Sequence, residues 1–88
     1  MTKETKTTPP ISPETIETLQ FSGIFRALTD SDREIFAGAG DYAGIAYING
    51  WTYVAEWRQR DCLERVDAIK DGTDEIFFAT GGGADWQS

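Results

Sequence analysis

Five acidic side chains between residues 64 and 75 are the ones whose type and spacing could support chemistry. They are Glu64, Asp67, Asp71, Asp74 and Glu75. Carboxylates at this density can bind a divalent cation, work in pairs as general acid and base, or attract a basic partner. They can also form the solvated outer face of a surface element, which requires no special cause. The residues around them in the sequence decide among these interpretations.

A calcium site is the most specific of these interpretations, and the segment from Asp67 to Phe78 tests it. Asp67 and Asp71 fit positions one and five of a calcium-binding loop, but Ile69 stands where a ligand is required and Phe78 where the bidentate glutamate belongs. The chain has no histidine and a single cysteine, Cys62, so it lacks the usual zinc ligands. We therefore expect no metal and no other cofactor.

Catalysis is disfavoured by the same composition. Without histidine the chain lacks the side chain most often used for proton transfer near neutral pH. The carboxylates are expected to be exposed, with ordinary pKa values that make them poor acids at neutral pH. A small carboxylate-based hydrolase would need two acids buried together in a cleft. The sequence favours a non-catalytic protein.

Size and charge restrict the class of partner. The 88 residues carry a net charge of −7, which repels phosphate backbones and anionic membrane surfaces. The N-terminus has no apolar core of a signal peptide, and no run approaches the ~20 apolar residues of a membrane span. We expect one domain, in the cytoplasm, that binds neither nucleic acid nor membrane directly.

The chain divides into an arm, a domain and a tail. Residues 1–11 are rich in Thr, Lys and Pro and predict a flexible arm. Residues 12–80 have the apolar content of a single domain, and residues 81–88 begin with three glycines and predict a flexible tail. Trp86 within that tail is expected to fold back onto the domain, because a large exposed apolar group lowers solubility.

Two helices are predicted at the start of the domain. Ser12 and Pro13 form a helix start signal, and the helix is expected to run toward Leu28 with a break at Ser22-Gly23. Thr29 or Ser31 can cap a second, short helix. We expect that helix to continue through Ile35, Phe36 and Ala37 and to end in the turn at residues 38–41.

A β-hairpin occupies the centre of the chain. Two β-rich runs meet at Asn49-Gly50, the residue pair that tolerates the positive φ angles of a type I′ turn. A two-residue loop fixes the register and places four cross-strand pairs on one face. These pairs are Ile48 with Trp51, Ala46 with Tyr53, Gly44 with Ala55, and Tyr42 with Trp57. The aromatic rings on this face predict the core, with an aromatic binding surface as the alternative.

The remaining residues complete an α+β prediction. Apolar residues at 62, 66 and 69 recur with helical spacing, so we expect an amphipathic helix from Asp61 that is capped at Gly72. Residues 75–80 have strand composition and are expected to join the hairpin as a third strand. The predicted fold is therefore N-terminal helices packed on a small three-stranded antiparallel sheet.

The profile of size, acidity and missing catalytic residues resembles that of the small inhibitor proteins that bacteriophages encode against host nucleases, the anti-CRISPR type in particular. Such a resemblance implies a stoichiometric inhibitor whose carboxylates face a basic groove on a nucleic-acid-binding enzyme in the host cytoplasm. The contact residues would be the five acids named first, together with Asp30, Asp32 and Glu34, and Trp57 as an aromatic anchor. The alternative is an assembly module that forms a homodimer through the sheet edge or the aromatic face.

Overall fold

One antiparallel sheet of five strands dominates the computed structural model, which describes residues 8–35, 42–59 and 62–88. Its strands follow the order of the chain, β1-β2-β3-β4-β5. They are β1 (Arg26–Ala27), β2 (Tyr42–Ile48), β3 (Trp51–Gln59), β4 (Cys62–Lys70) and β5 (Ile76–Ala79), with two short helices, α1 (Pro13–Glu17) and α2 (Asp30–Ile35). The predicted arrangement of N-terminal helices on a three-stranded sheet is therefore wrong.

The central hairpin is confirmed in both turn and register. Asn49 and Gly50 have φ angles of 51° and 84°, the left-handed values that a type I′ turn requires. All four predicted cross-strand pairs occur between β2 and β3, from Ile48 with Trp51 to Tyr42 with Trp57. This turn fixes which side chains of the hairpin share a face, and so it determines the composition of both faces of the sheet.

The predicted helix after Asp61 is instead the strand β4, which pairs with β3 along its whole length. The helical spacing of Cys62, Val66 and Ile69 is misleading, because Val66 lies on one face of the sheet and Ile69 on the other. From Val66 onward the residues alternate between the faces, but register shifts between Glu56 and Gln59 interrupt that alternation. Packing against β3 thus prevails over a weak helical pattern.

Strand β5 confirms the predicted strand near residue 75, but its neighbour in the sheet differs. It pairs with β4 rather than with the hairpin, so that Ala68 lies beside Phe77 and Asp67 beside Phe78. The two strands are joined by a turn in which Gly72 has a φ angle of 79°. Gly72 therefore serves a strand-to-strand turn and not the end of a helix.

The first predicted helix is much shorter than expected. Ser12 caps α1 as predicted, since its Oγ accepts a hydrogen bond from the amide of Thr15 at 3.2 Å. The helix ends at Glu17, and the chain then passes through turns to Gly23, whose φ angle is 93°. Arg26 and Ala27, which were expected to be helical, instead form the edge strand β1 beside β2.

The second helix begins at a reciprocal cap. The Thr29 amide donates to Asp32 Oδ2 at 2.9 Å, and the Asp32 amide donates to Thr29 Oγ1 at 3.1 Å. Of the two predicted capping residues, Thr29 and Ser31, it is Thr29 that caps the helix. The predicted end of the helix at Phe36 and Ala37 and the turn at residues 38–41 lie outside the described residues, as do Arg60 and Asp61.

The core lies on the face of the sheet that carries the aromatic residues of the hairpin. Trp51, Tyr53 and Trp57 are at most 5% exposed, which confirms the core interpretation. Ile16 of α1 covers this face and is itself fully buried.

The ends of the described chain also pack on this core. The indole of Trp86 lies 6.2 Å from the ring of Tyr53 and donates from Nε1 to the carbonyl oxygen of Ile11 at 2.9 Å. Gln87 forms a two-bond antiparallel bridge with Phe78 on β5. The expectation that Trp86 folds back is confirmed.

Candidate functional site

The two faces of the sheet are covered to very different extents. Against the core face pack α1, Phe25, Ile11 and Trp86. On the opposite face the only buried cluster in the described chain is a small one in which Leu28 covers Ile45 and Val54. The rest of that face, over β3, β4 and β5, forms what we call the outer sheet face: Thr52, Glu56, Arg65, Asp67, Ile69, Ile76 and Phe78.

The pairing of the strands sets the arrangement of these residues. Thr52, Ile69 and Ile76 form one row across the sheet, and the next row places Asp67 beside Phe78. Glu56 lies opposite Arg65 in the third row. Ile76 is 55% exposed, and Ile69 and Phe78 are partly exposed. The outer sheet face therefore combines apolar side chains with charged ones, as protein contact surfaces do.

Negative charge accumulates around Glu56. Partial burial raises the pKa of this carboxyl, and repulsion from Asp67 and Glu64 raises it further. Arg65 lowers it again, but the net direction is upward. A carboxyl whose pKa is raised by like charges lies in a negative field that the protein's own cation does not neutralise.

Arg65 is the cation of this surface. Its Nε and one terminal nitrogen donate to the same oxygen of Asp67, at 3.2 and 3.1 Å. Its guanidinium carbon lies 5.1 Å from the centre of the Phe78 ring, within the range of a cation–π contact. Arg65 is thus paired with an acid of its own strand and with a ring of the neighbouring strand.

The other predicted acids of the C-terminal half lie at the borders of this face. Glu64 is exposed on β4, and its charge acts on Glu56. Asp71 follows β4 and accepts a hydrogen bond from Thr52 Oγ1 at 2.9 Å. Asp74 and Glu75 are exposed in the turn between β4 and β5. The acids lie along a strand and its turn rather than on a helix.

The predicted acids of the N-terminal half are held on a different element. Asp30, Asp32 and Glu34 belong to α2, which follows the edge strand β1 at the side of the sheet opposite β5. Hydrogen bonds from the Thr29 amide and from Arg26 lower the pKa of the Asp32 carboxyl. Asp32 is thus engaged in the cap and in an ion pair with Arg26 at 3.0 Å.

Trp57 does not belong to an exposed surface. It is 4% exposed, packs edge to face with Phe25 at 5.3 Å, and donates from Nε1 to the Glu17 carbonyl oxygen at 3.2 Å. A side chain with this environment is part of the core. Trp57 is therefore not available as an aromatic anchor for a partner, and the aromatic side chain beside Asp67 that is partly exposed is Phe78.

In the parts of the chain that the structure describes, no charged side chain is buried and no three metal-binding side chains converge. A cleft of about 290 Å³ between α1 and the C-terminal loop contains Glu17, but the Glu17 carboxylate already accepts a hydrogen bond from the Leu63 amide at 2.9 Å. The described helices include none long and apolar enough to cross a membrane.

Glu56, Arg65 and Phe78 are the residues that the predicted contact set omits. Glu56 lies on the face of the hairpin that does not carry the buried aromatic rings. The hairpin register, which the sequence predicts, is the signal that could have placed it there. Arg65 and Phe78 join it only through β4, which the helical spacing concealed.

Comparison with protein-family models, with curated proteins and with solved structures finds no match to this chain. The candidate site therefore rests on its own geometry.

Proposed function

We propose that this chain is a non-catalytic, acidic protein-binding inhibitor that blocks a basic, nucleic-acid-binding host enzyme such as a CRISPR effector. The observation that supports this most directly is the outer sheet face, which the described residues leave partly exposed and whose carboxylates, Glu56 and Asp67, outnumber its one cation, Arg65. In this proposal the carboxylates occupy positions on the enzyme that nucleic-acid phosphates would otherwise take. The inhibitor then acts in the cytoplasm of the host. It occupies the nucleic-acid-binding site of the enzyme, in a fixed molar ratio of inhibitor to enzyme.

Electrostatics support this class of partner. A net charge of −7 on 88 residues steers the chain toward positively charged clefts and away from nucleic acid. The apolar side chains beside the carboxylates supply contact area that a purely charged surface would lack, since interface cores are depleted in charge. Both features occur together on the outer sheet face.

The assembly alternative has less support from the described residues. The aromatic face of the hairpin is the core, and Gln87 covers part of the β5 edge. At the other edge β1 contributes only two residues. A homodimer through the aromatic face would require the core to open.

Capture followed by a competition assay tests the inhibitor proposal. The tagged chain is immobilised, exposed to host lysate, and eluted with rising salt, and the principal captured protein is then purified. We expect a basic enzyme that elutes with salt and loses nucleic-acid binding when one equivalent of the chain is added, because paired exposed charges are screened by salt.

A captured enzyme that still binds nucleic acid at saturating concentrations of the chain would contradict inhibition by occupancy. Binding that is insensitive to salt would contradict the electrostatic basis. As the negative control, the capture is repeated with the same immobilised chain in 1 M salt throughout. Proteins retained under that condition bind without electrostatic attraction and are subtracted.

A further inference from the structure

The outer sheet face already holds one cation, and the way in which it does so is informative. Arg65 lies on the same strand as Asp67, two residues before it, and reaches both the carboxylate of Asp67 and the ring of Phe78. The acid and the ring come from neighbouring strands and are a register pair of β4 and β5. Together they form a position that accepts a guanidinium group.

We infer that Arg65 is an internal occupant of this position, and that an arginine or lysine side chain of the partner takes its place when the complex forms. This inference rests on the proposed function, because it identifies the surface and the partner group through which the inhibitor binds. The occupant is a basic segment of the partner protein in extended conformation.

The internal occupant is weakly held. The Arg65 side chain is 46% exposed, and ion pairs this exposed to solvent contribute little to stability. It can rotate into solvent without uncovering a buried charge, because Asp67 is itself partly exposed. Displacement of Arg65 therefore costs little compared with the contacts that a partner segment can form.

The surrounding charge favours a second cation. Glu56, Glu64 and Asp67 contribute three negative charges near Arg65, which contributes one positive charge. Partial burial is the main cause of the raised pKa of Glu56, and repulsion from Asp67 and Glu64 adds to it. A cation of the partner bound here would neutralise negative charge that Arg65 alone does not neutralise.

The neighbouring row of the sheet defines what lies beside that cation. Ile69 and Ile76 are one row away from Asp67 and Phe78, a spacing of roughly 7 Å along a strand. An extended segment places residues i and i+2 on one side at the same spacing. The partner segment is thus expected to carry a cationic residue and, two positions away, an apolar residue.

A peptide titration tests this inference on the full-length chain. The probe is a synthetic peptide of the sequence arginine-serine-valine-serine-arginine. It is added in steps to the ¹⁵N-labelled protein, and the amide shifts are followed by NMR. We expect shift changes confined to β3, β4 and β5. Removal of the internal occupant by Arg65→Gln should tighten binding about two- to fivefold, and Asp67→Asn should weaken it by a similar factor.

Matched substitutions on the two helices serve as controls. Arg33→Gln on α2 and Glu14→Gln on α1 change the net charge by the same amounts at exposed positions outside the outer sheet face. The inference is supported if Arg65→Gln tightens peptide binding and Arg33→Gln leaves it unchanged. Equal effects from both positions mean that net charge alone governs binding, which overturns the inference and leaves the proposed function in place.

The failure of the two proposals can be told apart. If the peptide causes no shift on the outer sheet face while the captured enzyme still binds and is inhibited, the inference is wrong and the inhibitor proposal stands. If neither the peptide nor any basic enzyme binds, the inhibitor proposal itself is wrong. Melting curves of the four variants check that each remains folded.

Discussion

Glu56 shows at the residue scale how the outer sheet face is composed. Its carboxyl is partly buried, and both that burial and the charges of Asp67 and Glu64 favour the protonated form. Arg65 opposes this effect without overcoming it. Under the proposed function, Glu56 would be retained for binding a basic partner at some cost in stability.

Replacement of this acid by its amide should stabilise the free protein. Because the pKa of Glu56 is raised on folding, stability is lost as the pH rises from the ordinary glutamate range through the folded-state pKa. Glu56→Gln removes that loss, so we expect a melting temperature a few degrees higher than wild type at pH 7. The measurement is thermal unfolding of both proteins between pH 3 and pH 8.

The pH dependence distinguishes this cause from a general effect of the amide. Below the ordinary pKa of a glutamate the carboxyl is neutral in both folded and unfolded chains, so the two melting temperatures should converge there. A difference that is constant across the whole pH range would show that charge on Glu56 is not responsible. The same variant should bind a basic partner less tightly.

The Asn49-Gly50 hairpin is the element from which the sheet is organised. It brings β2 and β3 into a register that puts three aromatic residues on the core face. The carbonyl of Gly50 also accepts a hydrogen bond from the Asp71 amide at 2.9 Å, which links this turn to the end of β4. A change in the turn therefore affects three strands.

A methyl group at Gly50 should destabilise the fold through the backbone. Gly50 has a φ angle of 84°, where an L-residue costs about 1–2 kcal/mol. We expect Gly50→Ala to lower the free energy of unfolding by that amount in urea denaturation. Gly83→Ala is the matched control, since a Cβ at Gly83 meets no atom within 4 Å and the backbone is not left-handed. Equal losses from both variants would contradict this account of the turn.

The elements also show which parts of the structure a sequence can predict. Turn chemistry at Asn49-Gly50 is local, so it predicts the hairpin and its register. The assignment of β4 depends on a partner strand that the local sequence does not reveal, and Cys62, Val66 and Ile69 happen to match a helical period. For that reason the predicted contact set lacks Arg65 and Phe78, which join the outer sheet face only through β4. Trp57 as an anchor has a different origin, because it follows from the resemblance and not from the hairpin register, which predicts it in the core.

At the scale of the whole molecule the segments before α1 and after β5 complete the core together. Ile11 and Trp86 are 75 positions apart, yet they are joined by the hydrogen bond from the indole nitrogen. Both pack on the core face over Tyr53 and its neighbours. Because a chain of 88 residues has little core to spare, this contact is a substantial part of its stability.

Removal of residues 84–88 should therefore weaken the fold and open an edge. The loss of the Trp86 contact is expected to lower the free energy of unfolding by about 2 kcal/mol, from the apolar area that the indole covers. The same deletion removes the Gln87 bridge and leaves the amide and carbonyl of Phe78 without their partners on the β5 edge. Free strand edges pair with one another, so the truncated chain should associate.

Light scattering after size-exclusion chromatography measures that association. Trp86→Phe is the control, because it retains Gln87 while losing the indole hydrogen bond and part of the packing against Tyr53. We expect the full chain and Trp86→Phe to remain monomeric while the truncated chain gains mass with concentration. A full chain that is itself dimeric would favour the assembly alternative over the inhibitor. A truncated chain that stays monomeric would show that the β5 edge is protected by something other than Gln87, such as the charge on the neighbouring turn.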